Sequence, residues 1–164
     1  MTFEGSYTWR LRQKVGSDLL LMPGAIVFLV RDDGAVLFTR RAGTGGWTLP
    51  AGGAEEGSSF AGTATRELEE ETGVLVEPAD LVGFASLSEA ELHTVSYPGG
   101  DVNHWFAMLF LARRWSGEPR PDGVETSAVL WAHPIAPPSP LERPAALAVE
   151  LFFAYEREGR FQVS

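Results

Sequence analysis

The run Arg66-Glu67-Leu68-Glu69-Glu70-Glu71-Thr72-Gly73-Val74 places four carboxylates within five residues and only Arg66 beside them. If the segment is helical, Glu67, Glu70 and Glu71 stand at i, i+3 and i+4 and point to one side. Like charges at that spacing repel by a few tenths of a kcal/mol per pair. Ala61, Ala64 and Leu68 recur at helical spacing beside the acids, so the helix has a packed side. Ser58 or Ser59 serves as N-cap and Gly73 as the C-terminal stop, which predicts a helix from about residue 59 to 72. The acids then crowd its last two turns, where the helix dipole is itself negative. An exposed acidic face and a divalent-cation site are the two readings of such a cluster, and a cation relieves both the repulsion and the dipole.

Upstream, Gly52-Gly53-Ala54-Glu55-Glu56-Gly57-Ser58 is followed by seven residues and then by the acidic run. Together they resemble the Nudix box, G-x5-E-x7-R-E-U-x-E-E-x-G-U with U aliphatic, at every fixed position but one: Ser58 stands where the first glutamate belongs. The likeness continues through Arg40-Arg41 and Gly46-Trp47-Thr48-Leu49-Pro50 before the box and Tyr97-Pro98-Gly99-Gly100-Asp101 after it, over roughly residues 23–134. The resemblance implies an α/β/α sandwich with a mixed β-sheet. It also implies Mg2+-dependent hydrolysis (Mn2+ being the alternative ion) of a phosphoanhydride in a nucleoside diphosphate linked to another group. ADP-ribose, other sugar nucleotides, nucleoside triphosphates and dinucleoside polyphosphates are the substrates of that family. Glu67, Glu70, Glu71 and the Gly52 carbonyl would hold metal, and magnesium's preference for a few carboxylates plus substrate phosphates suits that set. Arg66 would orient the acids through Glu69 or Glu70. The general base would come from the helix or from a loop acid before a late strand; Glu125 occupies such a loop, where a solvated acid reads equally well. A nucleotide-binding or regulatory module without turnover is the alternative that Ser58 keeps open. Homodimerisation rests on the resemblance alone.

Other candidates are less specific. Arg40 and Arg41 end a strand before the glycine loop, where they could meet a terminal phosphate or be ordinary surface arginines. Trp47 and Trp105 read as base-stacking or core residues. His93, His104 and His133 lack ligand spacing and read as structural or exposed. Gly43-Thr44-Gly45-Gly46 lacks the Gly-Lys-Ser/Thr ending of a P-loop and reads as a turn.

With 164 residues, 45% hydrophobic and 21% charged, the chain has the proportions of one globular domain, residues 1–164. A net charge of -9 disfavours nucleic acid and anionic membrane as partners, since both need a basic patch. It does not disfavour a small nucleotide, whose phosphates a divalent ion can bridge to carboxylates. No cysteine is present, which excludes disulfides and a thiol nucleophile. Residues 1–5 lack signal-peptide character, and the apolar stretch 19–30 is too short to span a bilayer, so a cytoplasmic protein is expected.

Along the chain, residues 1–22 form a lead-in whose 7–15 segment reads as helix or strand. Residues 25–30 read as a buried strand, turning at Asp32-Asp33-Gly34 into a hairpin partner at 35–40. Residues 41–46 are a loop, and 48–51 a short strand. Strands are expected at 81–87, 103–113 (after the 97–101 turn) and 127–132. Residues 134–144 read as a proline-rich linker, and 144–158 as a terminal helix with Leu147, Leu151 and Phe152 on its apolar side. The order is α+β.

Overall fold

One strand buried on both faces organises the molecule. The computed structural model describes residues 4–97 and 99–164; Met1 to Phe3, at the start of the lead-in, and Pro98, within the expected 97–101 turn, lie outside it. β1 (Leu20–Leu29) runs parallel to β7 (Val102–Ala112) on one side and antiparallel to β4 (Ala51–Gly53) on the other. β5 (Val82–Leu87) pairs antiparallel with the far side of β7, β9 (Gln162–Val163) closes that edge parallel to β5, and β6 (Thr94–Ser96) pairs with the start of β7. A second, antiparallel sheet has the order β3 (Trp47–Thr48), β2 (Val36–Arg41), β8 (Thr126–Ala132).

Alternation along β1 divides the core in two. Ile26, Phe28 and Val30 face α4 (Arg143–Glu158), where Phe28 stacks on Phe152 at 5.0 Å and meets Phe84 edge-on at 5.2 Å. Ala25, Val27 and Leu29 face α2 (Phe60–Thr72) and its buried Ala64 and Leu68. Helix, sheets, helix is the expected α/β/α sandwich, and burial on both faces explains why β1 reads as a continuous apolar run rather than an alternating one.

Several local expectations change. The turn after β1 forms, with Gly34 at φ +81° donating to the Arg31 carbonyl at 2.9 Å, yet no hairpin follows. β7 runs the length of β1 and β4 with Pro50 occupies its other edge at residues 24–27, while β2 keeps one bridge, Val30 to Val36, and diverges to pair with β8. The single strand expected at 48–51 is two, because β3 and β4 flank Pro50 and join different sheets. The 7–15 segment is a helix, α1 (Tyr7–Val15), and a short α3 (Ala90–His93) precedes β6. α4 buries Ala145, Ala148, Val149 and Phe152, while Leu147 and Leu151 lie at its flank, only partly covered. The 134–144 segment docks: the Trp47 amide donates to the Pro140 carbonyl and the Glu142 amide to the Trp47 carbonyl, both at 2.8 Å. Among the described residues no helix is long and apolar enough to cross a membrane.

Candidate active site

α2 is built as its sequence dictates at both ends. Ser59, not Ser58, caps it by accepting from the Gly62 amide at 3.0 Å, and Gly73 ends it in the left-handed region at φ 70°. Its packed side buries Ala64 and Leu68 against β1. That rotation carries Glu67 and Glu71, one turn apart, beneath β4 at 9% and 6% exposure, whereas the Glu70 side chain stays 57% exposed.

Of the two buried acids Glu67 has one cationic partner, Arg66, and Glu71 has none bonded to it among the described residues. Glu71 accepts only long contacts, from the Thr39 hydroxyl at 3.4 Å and the Ala51 amide at 3.5 Å. Burial pushes its pKa up to about 8, Arg41 pulls it down, and Glu67 and Glu125 push it further up. Burial likewise raises Glu67 to about 7 against the pull of Arg66, with Glu70 and Glu125 adding repulsion. A hard divalent cation is the charge such a pair lacks.

The glycine loop makes the remaining wall. β4 is held at the edge of β1, with Ala25 opposite Gly52 and Gly24 opposite Gly53. A Cβ on Gly52 would lie 2.1 Å from the Glu67 carboxylate, so only glycine lets the strand backbone meet that acid. A Cβ on Gly24 would sit 2.7 Å from the Gly52 carbonyl oxygen and 3.0 Å from the Trp105 ring. Carbonyl, carboxylates and their chemistry fit a metal with oxygen ligands. Among the described residues, however, no three Asp, Glu or His side chains converge as a finished cage, because Glu70 is drawn aside.

Arg66 draws it. One guanidinium nitrogen donates to Glu70 at 2.7 Å, while the other donates to Glu67 at 2.7 Å and to the Gly53 carbonyl at 2.8 Å. Of the two expected partners Glu70 is engaged, and Glu69 faces solvent. Arg66 thus ties helix to loop, with its Nε buried and without a partner.

The expected Arg40 and Arg41 pair is split. Arg40 turns out of the site, donating through Nε to the Gly45 carbonyl at 3.0 Å. Arg41 lies two residues beyond Thr39, close enough to lower the pKa of both Glu71 and Glu125. Glu125 is half-buried, burial raises its pKa, and its charge raises those of Glu67 and Glu71. Sequence reasoning missed Thr39, whose signal was a polar residue within an apolar strand, and Glu142, which had none.

Of the aromatics, Trp105 stands against the glycine loop, whereas Trp47 packs on the α4 side of the core. His93 and His104 are hydrogen-bonded structurally, to the Ser164 hydroxyl at 3.1 Å and the Ser88 carbonyl at 2.8 Å, and His133 is exposed. Two clefts lie against α1, lined by Tyr7 with Glu55, Ser59 and Phe60 in one and Arg10 with Lys14 in the other. Neither reaches the acids, and the charge cluster rather than the clefts marks the site.

A mixed-sheet sandwich with buried glutamates of its central helix beneath a glycine loop defines the Nudix class, and the NUDIX domain profile matches residues 20–151: the chain belongs to that family. An RNA pyrophosphohydrolase of Xylella fastidiosa is 41% identical over 61 residues, 37% of this chain and 32% of that protein. One from Xanthomonas campestris pv. campestris is 39% identical over 61 residues, again 37% of this chain and 30% of its own length. The chain thus spans only about a third of the curated relatives it matches. Among solved structures, a MutT NUDIX hydrolase from Burkholderia pseudomallei is 28% identical, with TM-score 0.63 over 80% of this chain and 98% of that one. An ADP-ribose pyrophosphatase from Streptococcus suis, 20% identical, shares the fold with TM-score 0.66 over 87% of this chain and 98% of its own.

Proposed function

We propose that this protein is a divalent-metal-dependent pyrophosphohydrolase that cleaves a phosphoanhydride bond in a nucleoside diphosphate linked to another group. The observation that carries the reading is the pair Glu67 and Glu71, buried one turn apart against Gly52, with Arg66 the one cation bonded to Glu67 and none bonded to Glu71 among the described residues. Names of relatives agree in chemistry, since RNA pyrophosphohydrolase and ADP-ribose pyrophosphatase both denote cleavage of such a bond.

Glu67, Glu71 and the Gly52 carbonyl would hold the ion, with Glu70 joining on release from Arg66. Bound Mg2+, or Mn2+ in its place, would neutralise the diphosphate and acidify a water. Arg66 fixes the loop relative to the helix through the Gly53 carbonyl. Glu125, its carboxyl raised by burial, takes the proton of the attacking water at a carboxylate oxygen. Arg41 presents its guanidinium to the phosphates, and no covalent nucleophile is required.

The substrate is a small nucleotide derivative: ADP-ribose or another sugar nucleotide, a nucleoside triphosphate or a dinucleoside polyphosphate. A net charge of -9 disfavours a long RNA backbone. A binding module without turnover is the weaker reading, because the one departure from the box, Ser58, is exposed and lines a cleft that the buried acids do not. The deciding experiment incubates purified protein with such a panel and Mg2+, counting phosphate after a coupled phosphatase. Metal-dependent release from at least one diphosphate is expected, and none from any of them would remove the hydrolase assignment.

A further inference from the structure

Resting on the pyrophosphohydrolase reading, we infer that Glu142 is a positioning residue that holds the Arg41 guanidinium with its terminal nitrogens free for the substrate diphosphate. Both Glu142 carboxylate oxygens are committed to the strand and loop beside the site. Oε2 accepts from Arg41 Nε at 3.1 Å and Oε1 from the Thr44 hydroxyl at 2.6 Å. The carboxylate is delivered by a docked backbone, through the bonds joining Trp47 to Pro140 and Glu142. Gly46 leaves it room: a Cβ there would lie 2.7 Å from the Glu142 side chain.

Glu142 stands at the N-cap of α4, yet its side chain makes no cap hydrogen bond. Serine, threonine, aspartate or asparagine would serve that helix end better. The side chain is therefore spent on Arg41 and Thr44 rather than on its own helix. On Arg41, Nε is the anchored donor, and among the described residues neither terminal nitrogen is hydrogen-bonded to protein. Because the guanidinium is planar, fixing Nε fixes the direction of the terminal N–H donors, the arrangement that suits a bidentate phosphate contact. The residues on either side lie at the same site, for the Thr39 hydroxyl on the same strand contacts Glu71, and the Ala42 amide donates to the Glu125 carbonyl at 2.7 Å. Without Glu142, Arg41 is free to fall onto Glu71 or Glu125 and neutralise the acids that the reaction needs.

The test is a double-mutant cycle of Glu142→Ser, Arg41→Ala and both together. It follows kcat, KM and Tm with Mg2+ and the best panel substrate, and the Kd of α,β-methylene-ADP with Ca2+. Serine can cap α4, so Tm of Glu142→Ser should hold level or rise while kcat/KM falls about tenfold and Kd weakens in step. The double variant should be no worse than Arg41→Ala, since Glu142 acts through Arg41. Additive losses, or an unchanged kcat/KM and Kd in Glu142→Ser, overturn the inference while leaving the hydrolase reading intact. Wild-type binding without turnover removes the hydrolase reading instead, and the same cycle in Kd then decides the role of Glu142; neither binding nor turnover overturns both.

Discussion

Removing the charge of Glu71 should stabilise the metal-free protein, the opposite of what replacing a buried hydrogen-bonded residue usually does. Its carboxyl titrates near 4.5 in an unfolded chain and at about 8 in the fold. Each unit is worth about 1.4 kcal/mol, so Glu71 costs the apo fold about 5 kcal/mol above pH 8, where it is ionised, and on the order of 3 kcal/mol at pH 7, where the fold must hold a proton. The sign follows from proton binding: between pH 4.5 and 8 the folded state holds a proton that the unfolded state has lost. Apo stability therefore falls as pH rises through that window, and Glu67, raised to about 7, adds to the slope. Glu71→Gln can still accept from the Ala51 amide, but its NH2 meets only the Thr39 hydroxyl, at a long 3.4 Å, which costs about 1–3 kcal/mol. The net expectation is a gain of about 2 kcal/mol at pH 8, or roughly 4–8 °C in Tm for a domain of this size. Thermal unfolding in EDTA at pH 5, 6, 7 and 8 measures it. The variant should show a flatter pH profile and cross above wild type by pH 8, lose most turnover, and gain less from Mg2+ than wild type. A variant that is less stable than wild type in EDTA at pH 8, or that keeps the wild-type pH slope, refutes the argument that this carboxylate is held in place against its own electrostatics.

Gly52→Ala drives a methyl into Glu67, so Mg2+ should no longer raise Tm even if the apo protein folds; an intact metal-dependent shift would show that the Gly52–Glu67 approach is irrelevant to the ion. Glu125→Gln should lower kcat about 100-fold or more with KM nearly unchanged, and an unaltered kcat and pH-rate profile would return the base to the helix acids. Ser58→Glu adds a carboxylate near the positive end of α2 without disturbing the Ser59 cap, for a gain of about 0.3–1 kcal/mol; a fall in both Tm and turnover would give Ser58 a role of its own.

Much of the site was legible because its parts are close in sequence. A helix carries its geometry in residue spacing, so the face shared by Glu67, Glu70 and Glu71, the seryl cap and the glycine stop could be read from residues 58–74 alone. The resemblance of residues 52–74 to the Nudix box carried the family and the α/β/α architecture, which periodicity could not supply. Spacing does not say what covers a face. It left Glu67, Glu70 and Glu71 equivalent, whereas the fold buries two of them under β4 and hands the third to Arg66.

What the chain determined by itself is therefore local: the acidic helix, its ends, the glycine loop before it and the strand that needed cover on both faces. Tertiary structure decided which residues meet. The hairpin after β1 stops at one bridge because β2 pairs along its length with β8, while β4 pairs with β1 at residues 24–26, a partner choice invisible to the turn signal at residues 32–34. Arg40 and Arg41 were indistinguishable neighbours until Gly45 engaged one and Glu142 the other. Trp105 rather than Trp47 came to the loop because β7 lies beside β1 while β3 joins the other sheet, and Gly24 leaves the Trp105 ring room beside the Gly52 carbonyl. Such choices depend on contacts between segments as far apart as Arg41 and Glu142, and no local pattern encodes the packing that brings them together.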